Sequence, residues 1–333
     1  MKQADSFLVK IWGARGSYPA TGSEMSEYGG NTPCVEVQAG GKTIILDSGT
    51  GIISLGKDLL RRSLEHGTPV EVILLLSHLH HDHTQGFPFF SPAFVPTSKI
   101  TVYGPDFLNS SPKIALTKIM ESPFFPVPIT DLGSRLDFHI VHESDMILIG
   151  KGAGGIISMP SIEAAFYADP NLIRIRILRS YAHPGGVLHY RIDYQGHSLV
   201  YATDTEGYVN GDQRLIKFSR GADLLIHDAQ YTDDHYIGHT PGSMVTQGFG
   251  HSTTSMACQT ASAAGVKKLW LFHHAPEYND TFMKTIGHRA KELFINSDIA
   301  REGYEVDLLT EINSHSNFEH FFAQPVRNSD ISA

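Results

Sequence analysis

The chain has 333 residues, with 26 lysines and arginines against 35 aspartates and glutamates, so its formal net charge is −9. The 41% hydrophobic content excludes global disorder, and no apolar run approaches the roughly 20 residues that span a bilayer. The two cysteines and the lack of a signal-peptide pattern at the N-terminus predict a soluble, cytoplasmic protein. Because the net charge is negative, we do not expect the protein to bind nucleic acid or membranes broadly.

Short β-branched runs alternate with amphipathic stretches in the first part of the chain. Strands are predicted at 7–12, 33–38, 43–47, 70–77 and 99–104. Glycines 40 and 41 should form a hairpin turn between the second and third strands. The spacing of apolar residues predicts a helix at 52–64, and a second helix is predicted at 106–120. The strand predicted at 70–77 is continuously apolar from Val72 to Leu76, which is typical of a strand buried on both faces.

Segment 121–160 is the hardest part to assign. It contains three prolines, a strand-like stretch at 136–142 and a glycine cluster at 150–155. We predict a hairpin turn or loop for this cluster rather than a phosphate-binding loop, because no Lys-Ser/Thr pair follows its last glycine.

The remainder of the chain again alternates between strands and helices. Strands are predicted at 173–182, 187–194, 198–205, 222–228 and 267–274, and helices at 253–264 and 280–296. Strands with helices between them in each half indicate an α/β or α+β fold with two sheets. No change in composition marks a linker, so we expect one domain over 1–333. The loop from Tyr231 to Phe249 is a candidate lid over a substrate.

The 19 histidines exceed the 18 phenylalanines and 13 tyrosines, and their densest cluster follows the apolar strand. His78, His80, Asp82 and His83 lie within six residues at the carboxyl end of this strand. A loop there can turn the first two toward one point and the last two toward a neighbouring point. Because zinc binds such nitrogen and oxygen donors, the cluster predicts a site for two metal ions.

Four side chains cannot complete two coordination shells, so further ligands are expected elsewhere in the chain. His183, Asp204 and His273 each follow a predicted strand. Ligands at the carboxyl ends of successive strands converge on one edge of a sheet. Asp204 could bridge both ions through its two carboxylate oxygens.

This ordered set of residues resembles the signature of the metallo-β-lactamase superfamily of dinuclear hydrolases. The resemblance implies an αββα sandwich, in which two mixed sheets face each other with helices outside. It also implies two divalent ions, with zinc as the first candidate and manganese or iron as alternatives. Carried over residue by residue, it assigns His78, His80 and His183 to one ion, Asp82, His83 and His273 to the other, Asp204 to a bridge and Asp47 to a brace for the metal loop.

Three further motifs resemble the phosphodiesterase branch, which contains ribonuclease Z and related cyclic-nucleotide phosphodiesterases. They are IHDAQY at 226–231, GHSTT at 250–254 and FHHAP at 272–276. The resemblance implies that Asp228 and His251 act as a catalytic pair together with Asp82. Two departures argue against tRNA processing: Asp228 stands where ribonuclease Z usually has a glutamate, and we find no basic, glycine-rich arm.

The expected function is therefore hydrolysis of a small phosphodiester, such as a cyclic nucleotide, by a hydroxide shared between the two ions. His251, oriented by Asp228, would supply a proton to the leaving alkoxide. Nucleic acid and membranes are not expected as partners, and a homodimer is left open. The alternatives are a ribonuclease Z-like tRNA 3′ endonuclease, a lactonase or thioesterase on the same fold, and a non-catalytic metal-binding protein.

Overall fold

The computed structural model describes residues 6–150, 156–160, 169 and 171–310, and its strands form two mixed sheets. The seven strands of the first sheet are β1 (Phe7–Gly13), β2 (Cys34–Ala39), β3 (Lys42–Leu46), β4 (Glu71–Leu75), β5 (Lys99–Gly104), β6 (Arg135–Ile140) and β15 (Glu305–Asp307). The eight strands of the second sheet are β7 (Asp145–Ile149), β8 (Ile156–Pro160), β9 (Ile173–Ser180), β10 (Val187–Tyr194), β11 (His197–Ala202), β12 (Leu224–Asp228), β13 (Lys268–Phe272) and β14 (Ser297–Ile299).

Each sheet combines an antiparallel part with a parallel part. The order in the first sheet is β15-β1-β2-β3-β4-β5-β6, and β3 to β6 are parallel. The order in the second sheet is β14-β13-β12-β11-β10-β9-β7-β8, and β11 to β14 are parallel. Parallel strands end at the same edge of a sheet, so the loops that follow β4, β11, β12 and β13 can meet at one place.

Helices cover the outer faces of the two sheets. Their bounds are α1 (Gly51–His66), α2 (His81–Thr84), α3 (Pro112–Ile119), α4 (Gln213–Ser219), α5 (Asp233–Tyr236), α6 (Thr254–Ala264) and α7 (Asp280–Leu293). One apolar cluster fills the space between the sheets. Each sheet also has one apolar cluster between its outer face and the helices that cover it. The predicted αββα sandwich is confirmed. Among the described helices, none has the length and apolar character needed to cross a bilayer.

The hairpin between β2 and β3 has the predicted turn, since Gly40 and Gly41 have φ values of 54° and 74°.

The helix predicted at 106–120 is wrong in its first part, because α3 begins only at Pro112 with Ser111 as its N-cap. Proline has no N–H and fits only the first turn of a helix, so it marks this start. The sequence did not predict seven short elements, which are β7, β8, β14, β15, α2, α4 and α5. Most of the glycine cluster, 151–155, lies outside the described residues, and β7 and β8 on either side of it pair antiparallel.

Candidate metal centre

The loop after β4 is held in place by a buried aspartate. Asp47 follows β3 with a φ of 61°, and its Oδ1 accepts a hydrogen bond of 2.7 Å from the backbone N–H of Ser77. Its Oδ2 accepts hydrogen bonds of 2.8 Å from Ser77 Oγ, His83 Nδ1 and Tyr201 OH. The geometry fits the bracing role that the resemblance implies for Asp47, since the carboxylate fixes both ends of the His78–His83 loop.

The seven predicted ligands form two adjoining groups at this sheet edge. The ligand atoms within each group all lie within 4.8 Å of one another. The first group contains His78, His80, His183 and Asp204, and the second contains Asp82, His83, His273 and Asp204. The structure therefore brings all seven predicted ligands together, with Asp204 shared by the two groups.

The two carboxylate oxygens of Asp204 face different groups. Oδ1 lies 3.1 Å from His83 Nε2 and 3.3 Å from His273 Nε2. Oδ2 lies 3.5 Å from His78 Nε2 and 3.7 Å from His183 Nε2. One carboxylate can thus contribute an oxygen to each of two ions.

Protein partners orient four of the histidine rings. Nδ1 of His78 donates to Ser77 Oγ, Nδ1 of His83 to Asp47, Nδ1 of His183 to the Gly250 carbonyl and Nδ1 of His273 to Gln230 Oε1, over 2.8 to 3.1 Å. In each ring the proton on Nδ1 leaves the lone pair of Nε2 directed into the site. Metal-binding histidines are commonly fixed in this way.

The nitrogen and oxygen atoms of the two groups are better placed to bind divalent metal ions than to form hydrogen bonds with one another. Nε2 of His78 is buried and has no hydrogen-bond partner among the described residues. Ring nitrogens also face each other, with Nε2 of His183 at 2.9 Å from Nδ1 of His80 and Nε2 of His83 at 3.3 Å from Nε2 of His273. A cation between such lone pairs would satisfy them, and the mixture of imidazole and carboxylate ligands is one that zinc accepts.

The charge states of three of these groups suit a metal site, whereas neighbouring carboxylates outweigh burial and raise the pKa of His83 well above its usual value. Burial lowers the pKa of His78 well below its usual value, and burial lowers the pKa of His183 to about 4, so both rings are neutral at pH 7. Burial alone would raise the pKa of Asp204, but the neighbouring rings of His273, His83 and His78 lower it well below its usual range. Neutral imidazoles and ionised carboxylates are the forms that bind metal.

Next to the predicted metal ligands lies the predicted catalytic pair. Nδ1 of His251 lies 2.7 Å from Asp228 Oδ2, so the shorter aspartate reaches the ring without the extra methylene of a glutamate. Asp228 Oδ1 accepts backbone hydrogen bonds from Gln230 and Ser252 at 3.1 and 3.0 Å. The His251 ring stacks on His273, with 4.9 Å between centroids. Burial would lower the pKa of His251, but Asp228 outweighs burial and raises it.

Two residues near the ligands were missed by the sequence analysis. Gln230 holds His273 as described above, and its Nε2 donates to Ser17 Oγ at 3.0 Å. The backbone N–H of Ser17 in turn donates to Asp82 Oδ2 at 2.8 Å. The signal for Gln230 was its position two residues after Asp228 in IHDAQY, whereas a backbone contact such as that of Ser17 leaves no signal in residue type.

A glutamate connects the Asp204 segment to the loop that leads to His251. Glu206 Oε2 accepts a hydrogen bond from the Gly250 N–H at 3.0 Å, and Oε1 accepts one from the Gly248 N–H at 2.7 Å and another from Tyr236 OH. Gly250 has a φ of 90°, and a Cβ there would lie 2.5 Å from the His183 ring. The loop therefore packs directly against His183, a predicted metal ligand, and the hydrogen bonds of Glu206 hold the loop in this position.

Replacing Glu206 by glutamine should loosen this loop. A glutamine has one acceptor oxygen where two are used, so the N–H of Gly248 or of Gly250 loses its partner, at a cost of about 1–3 kcal/mol where that group is buried. We expect the backbone amides of 237–250 to exchange with deuterium roughly tenfold faster, as measured by mass spectrometry. Glu65→Gln, which removes an exposed ion pair with Arg61 on α1, is the matched control. Unchanged exchange in Glu206→Gln would show that the loop is held by other contacts.

Comparisons with known proteins agree with this geometry. Residues 42–274 match the model of the β-lactamase superfamily domain. The chain is 25% identical to the ribonuclease Z of Picrophilus torridus, over 93% of this chain and 99% of that protein. Among solved structures, it resembles the metallo-β-lactamase fold protein YhfI from Bacillus subtilis, with a TM-score of 0.61 and 20% identity over 91% of this chain and 100% of that one. It also resembles the short form of human tRNase Z, with a TM-score of 0.57 and 18% identity over 90% and 99% of the two chains. At these identities the two structural likenesses concern the fold alone.

Proposed function

The chain belongs to the metallo-β-lactamase superfamily, and from this premise we propose that it is a metal-dependent phosphodiesterase that cleaves RNA in the manner of ribonuclease Z. The observation that carries the proposal is the Asp228–His251 pair beside the two ligand groups. Cleavage of a phosphodiester releases an alkoxide, which needs a proton donor. A lactonase or thioesterase has no evident need for this additional pair.

The choice of RNA as substrate rests on relatives rather than on site geometry. The relative from Picrophilus torridus is named ribonuclease Z, and the alignment extends over nearly the whole of both chains. The comparisons do not support the cyclic nucleotide expected from the sequence, and they favour the alternative of a tRNA 3′ endonuclease. The expectation that nucleic acid is not a partner is therefore replaced by a precursor tRNA as the proposed substrate.

The metal ions would be held by the seven ligands in the arrangement described above, with zinc as the first candidate and manganese or iron as alternatives. Bound there, they would lower the pKa of a water molecule and offset the negative charge that develops on the phosphate. The chain contributes rigid placement of the ligands, because Asp47, Gln230 and the Gly250 carbonyl orient the rings before substrate arrives.

His251 is proposed to give its proton to the leaving oxygen. Its Nδ1 is engaged by Asp228, so its Nε2 is the nitrogen left to carry that proton. The carboxylate of Asp228 outweighs burial and raises the pKa of this ring, which favours the protonated form that can donate. Residue 251 also precedes Thr253, the N-cap of α6, and the N-terminus of a helix favours an anion such as phosphate.

A small cyclic phosphodiester remains a second candidate because of the loop that leads to His251. This loop, 237–249, contains no lysine or arginine. It exposes Ile237, Met244, Val245 and Phe249 instead. Proteins that bind long RNA by its phosphates usually present cations, so an apolar loop suits a small ester as well as an RNA end.

A panel of substrates tests the proposal. The enzyme, supplied with zinc or manganese, is given a precursor tRNA with a 3′ trailer, 3′,5′-cyclic AMP, bis-p-nitrophenyl phosphate and a lactone. We expect a single endonucleolytic cut in the precursor tRNA, measured by gel electrophoresis. An Asp204→Ala preparation controls for contaminating nuclease. Turnover of cyclic AMP with intact tRNA would favour the second candidate, and turnover of the lactone alone would refute phosphodiester chemistry.

A further inference from the structure

A groove of 430 Å³ opens at one sheet edge and has no role in the mechanism above. It is lined by loops after β5 and β6, by the end of β9 and by the start of β10. Because β4, β5 and β6 are parallel, the loops after β5 and β6 leave the sheet at the same edge as the His78–His83 loop. The groove therefore shares an edge with the proposed metal ligands.

Backbone contacts connect the groove directly to two of these ligands. The N–H of Leu188, in the groove wall, donates to the carbonyl of Ser77 at 2.8 Å, one residue before His78. The ring of Phe107 lies 3.5 Å from the position of a Cβ on Gly186, and the Gly186 N–H donates to the His183 carbonyl at 2.9 Å. The backbone therefore joins the groove wall to the segments that carry His78 and His183, and a group bound in the groove would lie at the same sheet edge as these predicted ligands.

The groove presents an arginine between aromatic rings. The guanidinium carbon of Arg179 lies 4.4 Å from the centroid of the Phe107 ring and 4.8 Å from that of Tyr181. Its Nε is buried without a hydrogen-bond partner among the described residues. Tyr181 is 69% exposed, so much of its ring remains open to a ligand.

The other charges that line the groove do not favour a second phosphate. Glu143 forms an ion pair with Arg214, and His142 lies 3.4 Å from Asp145. Asp106, which is exposed, adds a further carboxylate to the groove lining. A pocket with one cation, carboxylates and exposed aromatic surface suits a flat, neutral, polar group rather than an anion.

We propose that this groove binds a nucleobase of the nucleotide whose phosphate lies at the metal centre. The base stacks on Tyr181, and Arg179 donates hydrogen bonds to acceptor atoms on the edge of the base. Base–aromatic stacking tolerates any base, and arginine is a common donor to base edges. This inference rests on the proposed function, because it assumes a nucleotide substrate.

Ligand binding tests the groove separately from RNA cleavage. Calorimetry on the full, zinc-loaded chain compares adenosine 5′-monophosphate with inorganic phosphate, since the two share the anion and differ in the nucleoside. We expect the nucleotide to bind at least about fivefold more tightly, the lower end of the gain from stacking one base. Tyr181→Ala and Arg179→Met should remove this advantage and leave the affinity for phosphate unchanged. Tyr181→Phe should retain the advantage.

Phe124→Ala removes another exposed aromatic ring, 82% exposed and not part of the groove lining, and serves as the control. Equal affinity of wild-type protein for nucleotide and phosphate, or a nucleotide advantage that survives both groove variants, would overturn the nucleobase site. Loss of the advantage in the variants, together with intact precursor tRNA in the substrate panel, would retain the nucleobase site and refute the tRNA substrate.

Discussion

Replacing Asp204 by alanine is expected to lower phosphodiesterase activity at least about a thousandfold, because the several kilocalories per mole of charge stabilisation from the metal pair would be lost. Asp204 is the one residue common to both ligand groups. Its Oδ1 and Oδ2 lie on opposite sides, within 3.3 Å of His83 and His273 and within 3.7 Å of His78 and His183. Removing it takes an oxygen ligand from each ion at once.

The metal content of the Asp204→Ala chain distinguishes loss of the bridging ligand from loss of the folded structure. We expect the purified Asp204→Ala chain to contain fewer than two metal ions per molecule by plasma mass spectrometry, while its circular dichroism spectrum remains that of the wild type. Asp58→Asn, which alters a half-buried carboxylate paired with Arg61 and Arg62 on α1, should retain both ions and full activity. Two ions per chain and activity within tenfold of wild type would show that Asp204 does not bridge.

Most of this candidate centre could be predicted from sequence, because its predicted ligands are either neighbours in the chain or residues that directly follow a strand. His78, His80, Asp82 and His83 are neighbours in the chain, and His183, Asp204 and His273 each lie just after a strand. The strand pattern then determines where those ends meet, since β11, β12 and β13 are parallel. Residue type and position after a strand therefore carry nearly all the information.

The residues that support the ligands could not be predicted in this way. Glu206 acts through backbone N–H groups of Gly248 and Gly250, and Ser17 through its own backbone N–H. Such contacts depend on how loops fold against one another, which residue type does not encode. The groove at Arg179 is a similar case, because it joins loops after β5 and β6 to the end of β9. The helix start at Pro112 is different, because proline fits only the first turn of a helix and so marks this start in the sequence itself.

His251→Ala should slow the cleavage of esters with alkoxide leaving groups by about 10²- to 10⁴-fold, the usual contribution of a general acid. An RNA 3′ oxygen leaves as an alkoxide and needs the proton. Nitrophenolate leaves without one, so hydrolysis of bis-p-nitrophenyl phosphate should fall by less than about tenfold. The ratio of the two losses therefore measures proton donation rather than general damage to the site.

The geometry gives this test a matched second variant. Asp228 holds His251 through a hydrogen bond of 2.7 Å and accepts the backbone N–H groups of Gln230 and Ser252. Asp228→Asn keeps the size of the side chain but removes the charge that raises the pKa of His251. It should show the same selectivity against alkoxide leaving groups, with a smaller loss than His251→Ala. Equal losses on RNA and on bis-p-nitrophenyl phosphate in both variants would mean that the pair positions the phosphate and does not donate the proton.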